Sequence, residues 1–446
     1  MMFYKKMKDR EKFHFSNFNI SSYIREESLG GFLLLLTAVI AVIWANSGFA
    51  DAYDKLWHEI KLGISFGDFQ MKYSLQHWIN DGLMAVFFFM VGLEIKRELI
   101  AGELSTIKKA SLPIAAAAGG MLFPALIYVA FNAGNPEHLS GWGVPMATDI
   151  AFALGILSLL GSRVNINLKI FLTALAIADD LGAILVIALF YTDTINIMQL
   201  VNAGIFLVIL MVSNRFGVRR TSYYAIVGFL GVWISFMFSG VHATIAGVLI
   251  ALTIPVKTKI TEKEYVDELC VLVDKFEREN PNDKDLLTQR QSHLVSKIGK
   301  LSDDANTPLQ KLEHALHPVT AYIILPLFAL ANAGVKIEGN ILDMMFHPVA
   351  LGIIAGLAVG KILGISLFSR LMVRLKLAEL PEGVSWRQVY GAGMLAGIGF
   401  TMSIFISGLA FKSEELIQIA KVGIFTASIL SALVGMIFLY SSKTKK

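Results

Sequence analysis

Asp179 and Asp180 are neighbours in the middle of Asn167 to Thr192, a stretch otherwise so apolar that it reads as a membrane-spanning helix. A central Asp in such a helix is unfavourable by about 2.5–3.5 kcal/mol, so the pair, ionised and unpaired, would cost roughly 5–7 kcal/mol. Carboxylates held at that expense mark an ion or proton pathway. With loop and interface charges set aside, the deep ionisable set is Asp149, Asp179, Asp180 and Lys361, with Asp81 and His242 nearer the ends of their spans. In hydrocarbon these groups must face one another or a water-filled cavity, so the spans carrying them are expected to pack around one polar site. Helical neighbours project about 100° apart. One aspartate is therefore expected to bind an ion while the other pairs with Lys361. Three acids against one base leave two negative charges over, which a purely structural ion-pair network does not explain.

The backbone near Asp149 carries a second signal. Gly143-Val-Pro-Met-Ala-Thr-Asp-Ile-Ala-Phe-Ala-Leu-Gly155 places Pro145 just ahead of the acid, where a helix breaks easily. Gly391-Ala-Gly-Met-Leu-Ala-Gly-Ile-Gly-Phe-Thr-Met-Ser403 is comparably weak near its middle and ends in hydroxyl residues. Interrupted helices in the two halves of a chain point to a transporter site at the bilayer midplane. Asp149 and Lys361 carry charges suited to the dipole ends that such breaks expose. A carboxylate cluster suits a small hard cation with oxygen ligands, here including Thr148 and freed carbonyls, and protons compete for the same oxygens. With Lys361 positive and three Asp ionised the site carries two net negative charges. Two protons neutralise it and one monovalent cation does not, so exchanging them moves charge across the membrane.

The elements that must position these residues follow from composition. At 446 residues, 55% apolar and 17% charged, with strongly positive mean hydropathy, the chain reads as an integral membrane protein. Its single Cys270 excludes an internal disulfide or a cysteine metal cluster. Apolar runs predict twelve spans, near 30–48, 75–94, 110–131, 143–160, 167–192, 196–213, 222–239, 241–255, 316–334, 347–370, 387–411 and 417–440. That topology puts 32 of the 39 Lys and Arg on the side of both termini and 5 on the other, leaving Lys361 and Lys421 inside spans. The asymmetry predicts cytoplasmic termini. Residues 1–29 are polar and basic with no apolar core, so no cleaved signal peptide is expected and the first span stays as an anchor. The expected organisation is a 1–29 cytoplasmic tail, a 30–440 transmembrane domain and a 441–446 cytoplasmic tail.

Two connections are long. On the outer side, within 49–74, Ile60 to Phe66 and Phe69 to Leu75 alternate apolar and polar residues around Gly67-Asp68, which predicts a β-hairpin. Its bare edges make pairing with a second copy, through 58–75, one use; lying on its own protein is the other. On the cytoplasmic side, 257–311 carries Val266, Leu269, Val273 and Phe276, then Pro281, then Leu287, Leu294, Ile298 and Leu301. That spacing predicts a short helical hairpin, read as a solvated extension with a regulatory or partner-binding role as the alternative.

The strings Ala147-Thr-Asp-Ile-Ala-Phe-Ala153, Ala176-Ile-Ala-Asp-Asp-Leu-Gly182, Ser239-Gly-Val-His-Ala-Thr244, Leu325-Pro-Leu-Phe-Ala-Leu-Ala-Asn-Ala-Gly334 and Gly397-Ile-Gly-Phe-Thr-Met-Ser403 resemble those of NhaA-type sodium/proton antiporters of bacterial inner membranes. The resemblance runs from about Gly30 to Tyr440. It implies an all-α membrane fold of twelve helices with inverted repeats, in which the interrupted fourth and eleventh helices cross. It implies an electrogenic, pH-regulated antiporter expelling Na+ or Li+ against protons by alternating access, with Asp180 the main cation ligand. Asp179 would alternate between protonation and a salt bridge to Lys361, with Thr148 and Asp149 at the crossing. Family pH activation maps onto Glu94, Arg97, Glu98, Glu313, His314 and His317, and onto His242; by residue type alone these read as interfacial or structural groups. The extended 257–311 segment departs from compact family members and leaves the pH set-point open.

No cofactor, nucleic acid or enzymatic activity is expected; the partners are the transported Na+ or Li+, protons, the lipid bilayer and, through the hairpin, a second copy. An intramembrane aspartyl protease needs two carboxylates facing each other from separate helices, which the adjacent pair and Lys361 argue against. A channel is disfavoured because clustered, unbalanced carboxylates form a tight site. A sodium-coupled symporter of a small organic acid is the alternative that shares the architecture.

Overall fold

The computed structural model describes residues 20–66, 69–192, 195–279, 286–336 and 340–441, and they are predominantly helical. Six described helices are long and apolar enough to cross a membrane: Ile107–Asn132, Ile166–Phe190, Ile197–Arg215, Pro308–Asn332, Pro348–Arg374 and Glu414–Tyr440. Two helix pairs are apolar enough only together, each bent at a short break: Pro136–Met146 with Ile150–Leu159 by 43°, and Trp386–Leu395 with Phe400–Ala410 by 49°. The other expected spans are shorter apolar stretches or carry more charge. Leu29–Ala45, Thr221–Met237 and Thr244–Thr253 are brief apolar stretches, and Met84–Ala101 carries Glu94, Lys96, Arg97 and Glu98 near its end. The first described helix, Ile20–Ala45, includes ten residues ahead of its apolar run.

The chain folds as two compact units. The first comprises the residues up to Asp54, Ser111–Asp179 and those from Leu325 onward. Within it, Ile20–Ala45 packs on Ile150–Leu159 and Leu325–Asn332, while Glu414–Tyr440 packs on Pro348–Ala355, Trp386–Leu395 and Phe400–Ala410. Ile107–Asn132 meets Lys361–Arg374 backbone to backbone: a Cβ on Gly364 would lie 2.0 Å from the Gly119 carbonyl oxygen. Small residues allow that approach. Carbonyls in the last turn of Leu325–Asn332 and just beyond it are taken by distant side chains. Tyr53 donates to Leu330 O at 2.8 Å, Lys421 to Gly334 O at 3.2 Å and Asn46 to Val335 O at 2.6 Å, and Lys336 forms an ion pair with Asp54.

The second unit comprises Lys55–Ala110 and Asp180–Ile324. Its core is Met84–Ala101 against Thr244–Thr253, with Leu93, Tyr224, Val232, Trp233, Ala246 and Ile250 buried. Lys96 caps the end of Thr244–Thr253 by donating to Leu252 O and Ile254 O, both at 2.6 Å, a favourable place for a cation at a helix C-terminus. Lys61–Phe66 and Phe69–Ser74 form the expected antiparallel hairpin, in register from Lys61↔Ser74 to Phe66↔Phe69. Its expected turn, Gly67-Asp68, lies outside the described residues.

The 257–311 segment folds into two mutually packed helices, Glu262–Arg278 and Gln289–Ala305; Pro281 lies outside the described residues. Each helix opens with a capping box, Thr261 with Glu264 and Thr288 with Gln291. Leu269, Val273, Phe276, Leu294 and Ile298 are half-buried and Leu301 is buried, whereas Val266 and Leu287 are exposed. Lys259 closes the base of the pair on Asp304 at 2.9 Å. This hydrogen bond holds the Asp304 carboxyl below its ordinary range.

Two outcomes follow. Gly364→Ala drives a methyl group into the Gly119 carbonyl and is expected to destabilise the protein by about 1–3 kcal/mol, read as a lower melting temperature of the detergent-purified protein. Because the folded pKa of Asp304 is depressed, its contribution is present above the ordinary carboxylate range and fades as pH falls through the folded value. Hydrogen exchange around Lys259 and Asp304 should therefore speed up on strong acidification, beyond the intrinsic pH dependence of exchange, and not on alkalinisation.

Candidate ion site

Pro145 sits in a tight helical turn, Ser140–Met146. The chain then runs extended, Ala147 at φ −81°, ψ 145° and Asp149 at φ −84°, ψ 99°, before Ile150–Leu159 begins. The second break lies between Trp386–Leu395 and Phe400–Ala410. There a Cβ on Gly397 would come within 2.5 Å of the Leu357 carbonyl oxygen, so only glycine fits that crowded turn.

Each break supplies what the other lacks. Asp149 N–H donates to Ile398 O at 2.7 Å, and the Thr148 hydroxyl donates to Ala396 O at 2.8 Å. The Asp149 carboxylate caps two half-helices. Its Oδ1 accepts from the Phe152 amide at 3.0 Å, and its Oδ2 accepts from the Thr401 amide at 3.1 Å and the Thr401 hydroxyl at 2.5 Å. The Asp149 side chain thus lies at the positive dipole ends of Ile150–Leu159 and Phe400–Ala410. Ser403 adds a hydrogen bond to Val144 O at 2.8 Å.

In the same unit, Lys361 Nζ donates to Asp179 Oδ2 at 2.6 Å, with neither side chain exposed. Lys361 follows an underwound, π-helical turn, Gly356–Gly360, and its stem passes Gly120 near the Gly119/Gly364 contact. The other carboxylate oxygen, Asp179 Oδ1, accepts no hydrogen bond among the described residues. Asp180 is the next residue of Ile166–Phe190, buried to 1% exposure. Two carboxylates so placed, one holding a lysine through a single oxygen, can trade protons and a small cation.

The structure thus brings Thr148 and Asp149 together at the breaks, and Asp179 to Lys361. Thr401, which completes the Asp149 cap, was not singled out by the sequence; its signal is a hydroxyl two residues past Gly399, at the start of a half-helix.

The expected pH-response residues all lie in the second unit and fall into two places. Arg97 Nη1 meets Glu313 Oε1 at 2.5 Å and its Nη2 meets Glu98 Oε1 at 3.0 Å, with Glu313 buried. Glu94 lies one turn earlier on the Arg97 helix, and His314 and His317 follow Glu313, exposed and half-buried respectively. His242 instead hydrogen-bonds through Nε2 to Tyr191 O at 2.8 Å and lies within electrostatic reach of Asp81. Asp81 precedes Arg97 by 16 residues, roughly 24 Å of helix.

Comparison with known proteins places relatives beside this geometry. A family model described as Na+/H+ antiporter 1 matches residues 21–439. The Na(+)/H(+) antiporter NhaA 1 of Psychromonas ingrahamii is 48% identical over 427 residues, covering 95% of this chain and 97% of the relative. The Na(+)/H(+) antiporter NhaA of Oleidesulfovibrio alaskensis is 50% identical over 410 residues, covering 92% and 90%. That of Helicobacter pylori strain HPAG1 is 47% identical over 424 residues, covering 95% of each.

Lys361→Ala strands the buried Asp179 carboxylate and is expected to destabilise the protein by about 3–5 kcal/mol. Adding Asp179→Asn should recover part of that loss in thermal melts, whereas additive losses would mean that the two residues are not coupled.

Proposed function

The chain belongs to the Na+/H+ antiporter 1 family, and on that premise we propose that it exports Na+, or Li+, in exchange for protons entering the cell. The observation that carries the reading is the buried Asp179–Lys361 pair with Asp180 next along the helix. Asp180 is the principal cation ligand. Asp179 alternates between a salt bridge to Lys361 while the cation is bound and protonation once the cation has left. Asp149 stays ionised as the counter-charge to the two half-helix ends, and with Thr148 it shapes the site at the crossing of the interrupted helices. Two titrating carboxylates allow two protons per cation. One net charge then moves per cycle, worth about 2.3 kcal/mol per 100 mV of membrane potential.

The frame for this chemistry is a twelve-span inverted repeat working by alternating access in the bacterial inner membrane, with both termini cytoplasmic. Arg97, Glu98, Glu313 and Glu94, with His314 and His317, form a pH-response cluster, and His242 acts from its separate place. The 58–75 hairpin joins two copies. The protein is a transporter with no cofactor, and its ions are cargo. The relatives compared above are named for Na+ and H+ alone, and nothing favours the organic-acid symporter.

In everted vesicles, added Na+ or Li+ should collapse an imposed pH gradient with no organic solute present. Asp180→Asn and Asp179→Asn should lower that exchange by at least tenfold, and full activity in Asp180→Asn would refute the assignment. Currents from reconstituted protein should depend on voltage; voltage-independent turnover would remove the two-for-one exchange. Glu313→Gln should shift the pH profile while leaving maximal turnover within about twofold.

A further inference from the structure

The half-helix Phe400–Ala410 starts without a cap of its own, because its N-cap residue is Gly399, which has no side chain to offer. The first amides of a helix have no intrahelical acceptor, and burial makes an unpaired amide expensive. Asp149 takes the Thr401 amide. The Phe400 amide goes elsewhere: it donates to Ser428 Oγ at 3.2 Å, a buried contact from the Glu414–Tyr440 helix. The same helix presents Phe425, whose ring centroid lies 5.6 Å from that of Phe400, while Phe152 of the other half-helix approaches Phe400 at 5.5 Å. Phe400 is therefore held by amide and ring from Glu414–Tyr440, and its neighbour Thr401 by Asp149. Three residues after Ser428, the buried Ser431 hydroxyl faces Gly397, 2.6 Å from where a Cβ there would sit, and has no hydrogen-bond partner among the described residues.

We propose that Ser428 is a positioning residue for ion exchange, supplying from a neighbouring helix the cap that Gly399 lacks and so fixing the amide that precedes the Asp149–Thr401 contact. Resting on the antiport reading, this assigns to Glu414–Tyr440 the rear support of the break. Loss of the hydroxyl frees the Phe400 amide and lets Thr401 drift from the Asp149 carboxylate. Cation affinity falls while the titrating pair Asp179 and Asp180 stays intact. Ser431, with no hydrogen bond to lose, has no such role.

Hydrogen exchange of the 396–403 segment in purified protein and Na+ titration of exchange in vesicles test this together. Ser428→Ala should speed exchange at the Phe400 amide and raise the apparent KM for Na+ by about three- to tenfold, the scale of one hydrogen bond. Its kcat should stay within about twofold, Ser428→Thr should restore both readouts, and Ser431→Ala should leave both unchanged. Wild-type protection and KM in Ser428→Ala, or an equal change in Ser431→Ala, would overturn the proposal. If Ser428→Ala does not fold, Ser428→Cys, a weaker acceptor, should give a smaller rise in both readouts, and wild-type values there would also overturn it. Wild-type vesicles without Na+-dependent exchange would instead bring down the antiport reading, and the amide protection would still decide the role of Ser428.

Discussion

An ionised group buried in an apolar span is tolerated only beside a partner, and this constraint governs the first compact unit. Lys361 and Asp179 meet at 2.6 Å with no exposed surface. Such a pair adds little net stability, because desolvation offsets the attraction, yet breaking it leaves a charge stranded. A pair that is costly to break but weakly stabilising when made is suited to exchange. A proton or a cation that takes over one partner's role shifts the balance at small net cost. The backbone contact of Gly119 with Gly364 and the underwound, π-helical Gly356–Gly360 turn before Lys361 set where the lysine stands.

The two breaks obey the same constraint with backbone dipoles in place of side-chain charges. Interrupting a helix in a dry environment exposes amides and carbonyls that must be paired. Ile398 O and Ala396 O are taken by Asp149 N–H and the Thr148 hydroxyl, and the amides of Phe152 and Thr401 by the Asp149 carboxylate. Asp149 is thereby committed to three acceptor contacts. On the proposed reading, the exchange chemistry is left to Asp179 and Asp180.

Much of this was legible in the sequence where it depended on local pattern. The alternation around Gly67-Asp68 located the strands, and helical spacing located both helices of 257–311. The scarcity of charge in apolar runs isolated Asp149, Asp179, Asp180 and Lys361. One long-range partnership, Lys361 with one of the adjacent aspartates, was legible from the scarcity of buried charge, but those made by hydroxyl and backbone groups were not. Thr401 and Asp149 are 252 residues apart, and a serine in an apolar helix such as Ser428 carries no sign that it caps a glycine-led half-helix elsewhere. The helical residues Ile20 to Ser28 were not legible as part of the first helix because they lie ahead of the apolar run. The separation of His242 from Arg97 and Glu313 depends on which end of Met84–Ala101 each neighbours, which residue type does not encode.

The central claim is that cation and protons compete for one pair of adjacent carboxylates. The most direct test is the number of protons released when Na+ binds to the purified protein, measured by calorimetry in buffers of different ionisation enthalpy. The predicted result is proton release on binding that rises as pH falls toward the titration range of the pair and drops when Asp179 is replaced by Asn. Na+ binding with no proton release at any pH would contradict it.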